Sequence, residues 1–171
     1  MENQIKVLLV EDSKEDADLI IRCLKKENYD FNYLRVWQKE NFIKGINEYK
    51  PDLIIADYKL PQFTGMEAFN ILVKENRKIP FILVTGTVSE KLLTEYAKEG
   101  IDNYIHKENL LRLPFAIENA LNKKKIDTLH KQLESAHRDI TDSINYTRII
   151  QDAILPDKDS TKQLSSIFYF I

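Results

Sequence analysis

The sequence is poor in the residues that mark several classes of protein. Its 171 residues include one cysteine, four glycines and five prolines, and no apolar run approaches the roughly 20 residues of a membrane-spanning helix. These features exclude a disulfide scaffold, a collagen-like or low-complexity chain and a transmembrane protein. The apolar stretch at residues 7–10 is too short for a signal-peptide core, so we expect a cytoplasmic protein.

The sequence also lacks an excess of charge. It has 25 Lys and Arg residues against 27 Asp and Glu residues, a net charge of -2. The short basic run Lys123–Lys125 is better interpreted as the solvated face of a helix than as a DNA contact. Cys23 and the three histidines lack the spacing of a zinc site. We therefore expect no nucleic-acid partner and no structural zinc.

Apolar residues occur in five short runs, separated by stretches with helical spacing. Runs such as LIIA and FILV do not alternate with polar residues, as is typical of parallel strands covered on both faces. The pattern predicts an α/β fold, a doubly wound parallel sheet with helices on both faces. The predicted strands are Lys6–Val10, Tyr33–Trp37, Leu53–Asp57, Phe81–Thr85 and Asn103–Lys107.

Two glycines differ in how well they fit the predicted elements. Gly100 follows a helix-like stretch before the fifth strand, as a helix C-cap residue does. Gly45 instead falls inside a predicted helix, where it costs about 1 kcal/mol relative to Ala, and no sequence feature accounts for it.

A long helix is predicted after Pro114, because residues 115–155 contain no further proline or glycine. Its apolar seam has coiled-coil spacing with a stutter near its end. We expect this helix to form a homodimer, the alternative being a single helix folded back on the domain. The seam comprises Ile126, Leu129, Leu133, Ala136, Ile140, Ile144 and Thr147.

The sequence thus divides into an α/β domain (1–122), a coiled-coil linker (123–155) and a tail (156–171). The apolar run Ile167–Ile171 would be an unpaired edge strand on its own. We interpret it as the first strand of a further domain.

Polar residues end four of the predicted strands. Glu11 and Asp12 follow the first, Asp57 ends the third, Thr85 the fourth and Lys107 the fifth. Because parallel strands end at one edge, these residues should converge. Three close carboxylates favour a Mg²⁺ ion, while a lysine and a hydroxyl suit a phosphoryl group.

Each of these residues has a simpler explanation when taken alone. Asp12 or Ser13 could serve only as a helix N-cap. The joint pattern favours chemistry, with Asp57 attacking phosphorus to give an aspartyl phosphate.

At these residues the sequence resembles the receiver domain of two-component response regulators, over residues 4–122. The resemblance implies a flavodoxin-like sheet of order 2-1-3-4-5. It makes Asp57 in LIIADYKLP the phosphoacceptor, and Glu11 and Asp12 in VLLVEDS magnesium ligands with Asp57. Thr85 in ILVTGT becomes the switch hydroxyl and Lys107 in NYIHK the site lysine. Tyr104 becomes the switch aromatic.

The resemblance also implies a partner and a mechanism. A sensor histidine kinase or phosphotransfer protein would phosphorylate Asp57, and Thr85 and Tyr104 would then shift and alter the long helix. The receiver would catalyse its own phosphorylation and dephosphorylation, and whether the chain counts as an enzyme stays open.

Two positions depart from the common receiver pattern or leave its details open. Glu108 follows Lys107 where the family usually has a proline in a cis peptide, so we expect a trans bond. Lys59 either reaches the site, as in the family, or is a surface lysine.

Residues 139–159 resemble the segment that precedes the catalytic domain of sporulation-type metal-dependent serine phosphatases. The output would then be a phosphatase whose metal-binding acids are absent from this chain. One alternative is a stand-alone or degenerate receiver acting as a dimerisation scaffold. Another is a histidine phosphotransfer helix around His137, which lacks the expected following Glu.

Overall fold

The computed structural model describes residues 4–27, 30–86, 101 and 103–154, with side chains as far as residue 151. All five predicted strands are present, with ends within two residues of those expected. The helix predicted before the fifth strand and the tail at 156–171 lie outside the described residues. In chain order the elements are β1 (Ile5–Val10), α1 (Lys14–Lys26), β2 (Phe31–Val36), α2 (Lys39–Lys44), a π-helical turn (Gly45–Tyr49), β3 (Leu53–Asp57), α3 (Gly65–Lys74), β4 (Phe81–Thr85), β5 (Asn103–His106), a 3-10 segment (Lys107–Arg112) and α4 (Leu113–Ile154).

The five strands form one parallel sheet of order β2-β1-β3-β4-β5, which confirms the predicted topology. Every residue of β3 and β4 is buried. Their continuous apolar sequences follow from this, because helices cover a doubly wound sheet on both sides.

Two apolar clusters lie on opposite faces of the sheet, since alternate residues of each strand point to opposite sides. One cluster joins Leu8 and Ile54 to Phe42 of α2 and Phe69 of α3. The other cluster joins neighbouring strand residues to α1 and to the first turns of α4. The helices therefore cover both faces of the sheet, as expected.

Gly45 packs closely against β1. A Cβ atom there would lie 3.0 Å from Leu8 Cδ1 and 3.4 Å from Leu8 Cδ2. The predicted helix also changes to a π-helical turn at Gly45. Glycine thus allows this turn to approach the sheet closely.

The long helix is present as α4, with Pro114 as its second residue. The chain separates into two compact units, residues 1–126 and 127–171. In the second unit the apolar seam is exposed, with Leu129, Leu133, Ile140 and Ile144 each 55–69% accessible. Among the described residues, none of the helices has the length and hydrophobicity required to cross a membrane.

Candidate functional site

The charged residues predicted to converge do lie together at the carboxyl edge of the sheet. Glu11 and Asp12 follow β1, Asp57 ends β3 and Lys107 follows β5. One carboxylate oxygen from each of Glu11, Asp12 and Asp57 lies within 4.8 Å of the other two. Glu11 and Asp57 are buried, whereas Asp12 is exposed. Parallel pairing therefore assembles an acidic cluster that is open on one side.

The two residues expected to act as a switch lie on the neighbouring strands. Thr85 ends β4 and is 2% exposed, beside β3 because Asp57 pairs with Val84. Tyr104 lies in β5 and is 50% exposed. The structure thus places a buried hydroxyl-bearing residue next to the strand of Asp57 and an exposed aromatic residue one strand further.

The Lys107 ammonium group bridges the carboxylates. Its Nζ lies 3.0 Å from Asp57 Oδ2, 3.0 Å from Glu11 Oε2 and 2.5 Å from Asp16 Oδ2. The lysine side chain is 23% exposed. Ion pairs at this depth are less screened by solvent than surface pairs. Together the three pairs hold the ammonium 3.0 Å from the Asp57 oxygen, between that carboxylate and the one on α1.

Burial and charge shift the pKa values of two of these groups. Burial raises the pKa of Glu11, and the neighbouring charge of Asp57 raises it further, although the Lys107 hydrogen bond opposes both effects. For Lys107, burial alone would lower the pKa, but hydrogen bonds to Asp16, Asp57 and Glu11 hold it well above its usual range. The site therefore has a permanently charged lysine and an excess of negative charge.

Arg35 holds the backbone that carries the acidic pair. Its Nε donates to the Glu11 carbonyl at 2.9 Å and its Nη2 donates to the Asp12 carbonyl at 3.0 Å. The guanidinium also lies over the Trp37 ring, 5.0 Å from its centroid. The Ser13 backbone N–H donates to Glu11 Oε1 at 3.0 Å, which orients that carboxylate.

Gly65 allows α3 to begin directly against β3. A Cβ atom at this position would lie 2.6 Å from the Asp57 carbonyl oxygen and 2.6 Å from Leu83 Cδ1. The Gly65 backbone N–H donates to the Tyr58 carbonyl at 3.0 Å. Close approach at this point helps to fix the backbone of Asp57.

Sequence reasoning missed Asp16, Arg35 and Gly65. Asp16 lies four residues after Asp12, in the first turn of the predicted helix, and this acidic position was the available signal. Arg35 pairs with Leu9 in the neighbouring strand, which only the sheet register reveals. For Gly65, its position between Thr64 and the apolar helix indicated a helix start but not a steric limit.

The two uncertain positions have clear local structures. Among the described residues no peptide bond is cis, so Glu108 follows Lys107 through a trans bond, as expected. The His106 imidazole Nδ1 accepts from the Glu108 backbone N–H at 3.3 Å. Lys59 is exposed and its backbone forms an isolated antiparallel bridge with Thr64.

Comparison with known proteins assigns the family. The profile of the response regulator receiver domain matches residues 7–118, which is more than half of the sequence. The chain belongs to this receiver family. The resemblance seen in the sequence is therefore correct for the α/β domain.

Solved receiver structures share this fold. The signal receiver domain of a Luxo repressor protein from Vibrio parahaemolyticus is 28% identical, with a TM-score of 0.68. That match covers 74% of this chain and 97% of the other chain. A response regulator receiver domain protein from Clostridium thermocellum is 25% identical, with a TM-score of 0.63, over 71% and 98% of the two chains.

Proposed function

We propose that this receiver is phosphorylated on Asp57 in a magnesium-dependent reaction. The observation that carries the proposal is the position of Asp57, whose Oδ2 lies 3.0 Å from Lys107 Nζ within the acidic cluster. A carboxylate nucleophile, cation ligands and a fixed ammonium are the groups that phosphoryl transfer to an aspartate requires.

The donor set fits Mg²⁺. Glu11, Asp12 and Asp57 offer hard carboxylate oxygens that lie within 4.8 Å of one another. Burial, and to a smaller extent the charge of Asp57, raise the pKa of Glu11 and so disfavour its negatively charged form. A bound Mg²⁺ would supply further neutralisation of this charge and of the incoming phosphoryl group.

In the proposed reaction a carboxylate oxygen of Asp57 attacks the phosphorus of the donor. The new oxygen–phosphorus bond forms as the bond from phosphorus to the donor's leaving atom breaks, and that atom keeps the electron pair. Lys107 then donates a hydrogen bond to a phosphoryl oxygen, and Thr85 donates another. The biological donor is a sensor histidine kinase or a phosphotransfer protein, acting in the cytoplasm.

We further propose that phosphorylation is relayed through β5 and α4. Thr85 moves toward the phosphoryl group, and Tyr104 rotates into the space that is left. A homodimer in which the exposed α4 seams pair as a coiled coil would respond to this shift. The exposure of apolar seam residues supports the dimer, because such a stripe is stable in water when it is covered.

The output is proposed to be a metal-dependent serine phosphatase domain that follows the coiled coil. This proposal rests on the resemblance of residues 139–159 to the segment that precedes such domains. A receiver that signals only through its dimerisation helix is the second candidate, and the exposed seam favours it equally.

Intact-mass spectrometry tests the proposed phosphorylation. The full chain is incubated with a small phosphodonor and Mg²⁺, in parallel with Asp57→Asn. The wild type should gain one phosphoryl group, and the gain should be lost in the variant and after chelation. The absence of any gain in the wild type would contradict the proposal and favour the dimerisation module.

A further inference from the structure

Asp16 is a fourth carboxylate at the site, and the proposed mechanism gives it no role. It lies in the first turn of α1, where its backbone N–H donates to the N-cap hydroxyl of Ser13 at 3.2 Å. Its Oδ2 accepts a hydrogen bond from Lys107 Nζ, as Asp57 Oδ2 and Glu11 Oε2 also do. The N-cap therefore holds the backbone of a residue that contacts the site lysine.

The three contacts use the full donor capacity of Lys107. A lysine ammonium has three N–H bonds, and Asp16, Asp57 and Glu11 each accept one. A hydrogen bond to a phosphoryl oxygen therefore requires that one of these three contacts break or be shared. Asp57 loses its carboxylate charge when it becomes an acyl phosphate, and Glu11 is a proposed cation ligand. Asp16 alone has no other proposed role in the phosphorylated state.

We propose that Asp16 is a positioning residue that tethers Lys107 to α1 and competes with the phosphoryl group for its ammonium. The inference rests on the proposed function of Asp57 and Lys107. Asp16 draws the ammonium away from Asp57 and Glu11, which favours cation binding there. The same attraction weakens the contact that Lys107 can make to a phosphoryl oxygen.

These two effects predict opposite changes in the variant Asp16→Asn. Without the Asp16 charge, Lys107 pairs more strongly with Glu11 and Asp57, so the affinity for Mg²⁺ should fall. At saturating Mg²⁺ the released ammonium should bind a phosphoryl group more tightly. We expect each affinity to change by about threefold to tenfold, because this is the usual strength of a hydrogen bond to a charged group or of a partly exposed ion pair.

The experiment uses the full chain and beryllofluoride as the phosphoryl analogue. Calorimetry measures Mg²⁺ affinity, and the fluorescence of Trp37, the only tryptophan, measures beryllofluoride affinity at saturating Mg²⁺. Trp37 is a suitable reporter because it stacks on Arg35, which binds the carbonyls of the acidic pair. The matched control is Asp18→Asn, which removes the same charge from an exposed position of α1.

The inference expects weaker Mg²⁺ binding and tighter beryllofluoride binding in Asp16→Asn, with changes of less than about twofold in Asp18→Asn. Unchanged affinities, or equal changes in both variants, would overturn it. The conservative variant Asp16→Glu keeps the charge and should restore both affinities to within about twofold of wild type.

A double-mutant cycle with Lys107→Gln shows whether Asp16 acts through the lysine. When Lys107 is already replaced, Asp16→Asn should change the affinities for Mg²⁺ and for beryllofluoride no more than Asp18→Asn does. An undiminished effect without Lys107 would overturn the tether.

Failure of this inference can be told apart from failure of the proposed function. A wild type that is phosphorylated on Asp57 while Asp16→Asn behaves like wild type contradicts the tether alone. A wild type that binds no beryllofluoride and accepts no phosphoryl group contradicts the proposed function. In that case Mg²⁺ affinity alone tests the tether. Asp16→Asn must lower this affinity more than Asp18→Asn does. The difference must disappear when Lys107 is replaced.

Discussion

Glu11 is a buried carboxylate whose ionisation opposes folding but would favour the proposed cation binding. Burial and the charge of Asp57 raise its pKa, so the folded chain binds the Glu11 proton more tightly than the unfolded chain does. Ionisation of Glu11 therefore lowers stability as pH rises above the ordinary value of 4.5. A bound divalent cation would offset this effect by sharing the negative charge.

Replacement of this carboxylate should stabilise the protein in the absence of divalent cations. In chelator at pH 7, we expect Glu11→Gln to increase the free energy of unfolding by about 1 kcal/mol, because a buried charge is removed. The gain should disappear below about pH 4.5, where Glu11 becomes protonated. Urea unfolding at several pH values measures the difference in unfolding free energy. Glu15→Gln, at an exposed position, is the control. A gain that persists in acid would contradict this explanation.

The glycine at the start of α3 gives a second prediction at the residue scale. Because a Cβ atom would lie 2.6 Å from the Asp57 carbonyl oxygen and Leu83 Cδ1, Gly65→Ala should destabilise the fold by about 1–3 kcal/mol. It should also slow phosphorylation, since the backbone of Asp57 must move. Thermal unfolding and the intact-mass assay check both effects.

Gly86 provides the matched control for this substitution. No described atom lies within 4 Å of a Cβ built at Gly86, so Gly86→Ala should change stability by less than about 0.5 kcal/mol. Equal losses in the two alanine variants would contradict the steric explanation for Gly65.

The sequence predicted the site residues whose positions follow from the ends of the strands. Glu11, Asp57 and Lys107 each stand next to a strand, so the order of elements was enough to bring them together. Asp16 contacts Lys107 from α1, and Arg35 of β2 contacts the carbonyl groups that follow β1. Such contacts depend on side-chain reach and sheet register, which hydrophobic periodicity does not specify.

At the scale of elements, periodicity predicted the strands and the long helix, because continuous apolar runs and the absence of proline are strong local signals. It did not predict the π-helical turn at Gly45, since that change of hydrogen bonding follows from contact with Leu8 in β1. A local propensity rule interprets Gly45 as unfavourable, whereas the structure shows that a side chain there would press against Leu8.

The exposed seam of α4 allows the proposed dimer to be tested by substitution. If two seams pair, Leu133→Lys places a charge in the interface. The dissociation constant of the dimer should then rise at least about tenfold. Sedimentation equilibrium measures the association. The α/β domain should keep its melting temperature, because Leu133 is 69% exposed in the single chain.

The control for the seam is Ser135→Lys, which adds the same side chain on the opposite side of the heptad. It should leave association unchanged within about twofold. Equal dissociation in both variants would indicate a general charge effect, and a wild type that is monomeric at high concentration would contradict the coiled coil.

At the scale of the whole molecule, the receiver site and the seam belong to one continuous chain path. β5 is followed by the kinked 3-10 segment and then by α4, so the site lysine stands six residues before the first residue of the helix. The proposed relay from Lys107 or Tyr104 would therefore reach α4 along this short segment, which is kinked at Asn109. This continuity is the physical basis for expecting phosphorylation to alter helix pairing.

Cysteine crosslinking along the seam tests that coupling. Cys23 is first replaced by Ala, because it is the only native thiol, and single cysteines are then placed at Leu129 or at Ile144, beyond the stutter. Beryllofluoride with Mg²⁺ should change the ratio of crosslinking at the two positions by at least about twofold, because a shift in helix pairing affects the two sides of a stutter differently. The same ratio should stay constant in Asp57→Asn. Constant crosslinking in the wild type at saturating beryllofluoride would contradict the relay through α4, while phosphorylation of Asp57 would remain a separate property of the receiver.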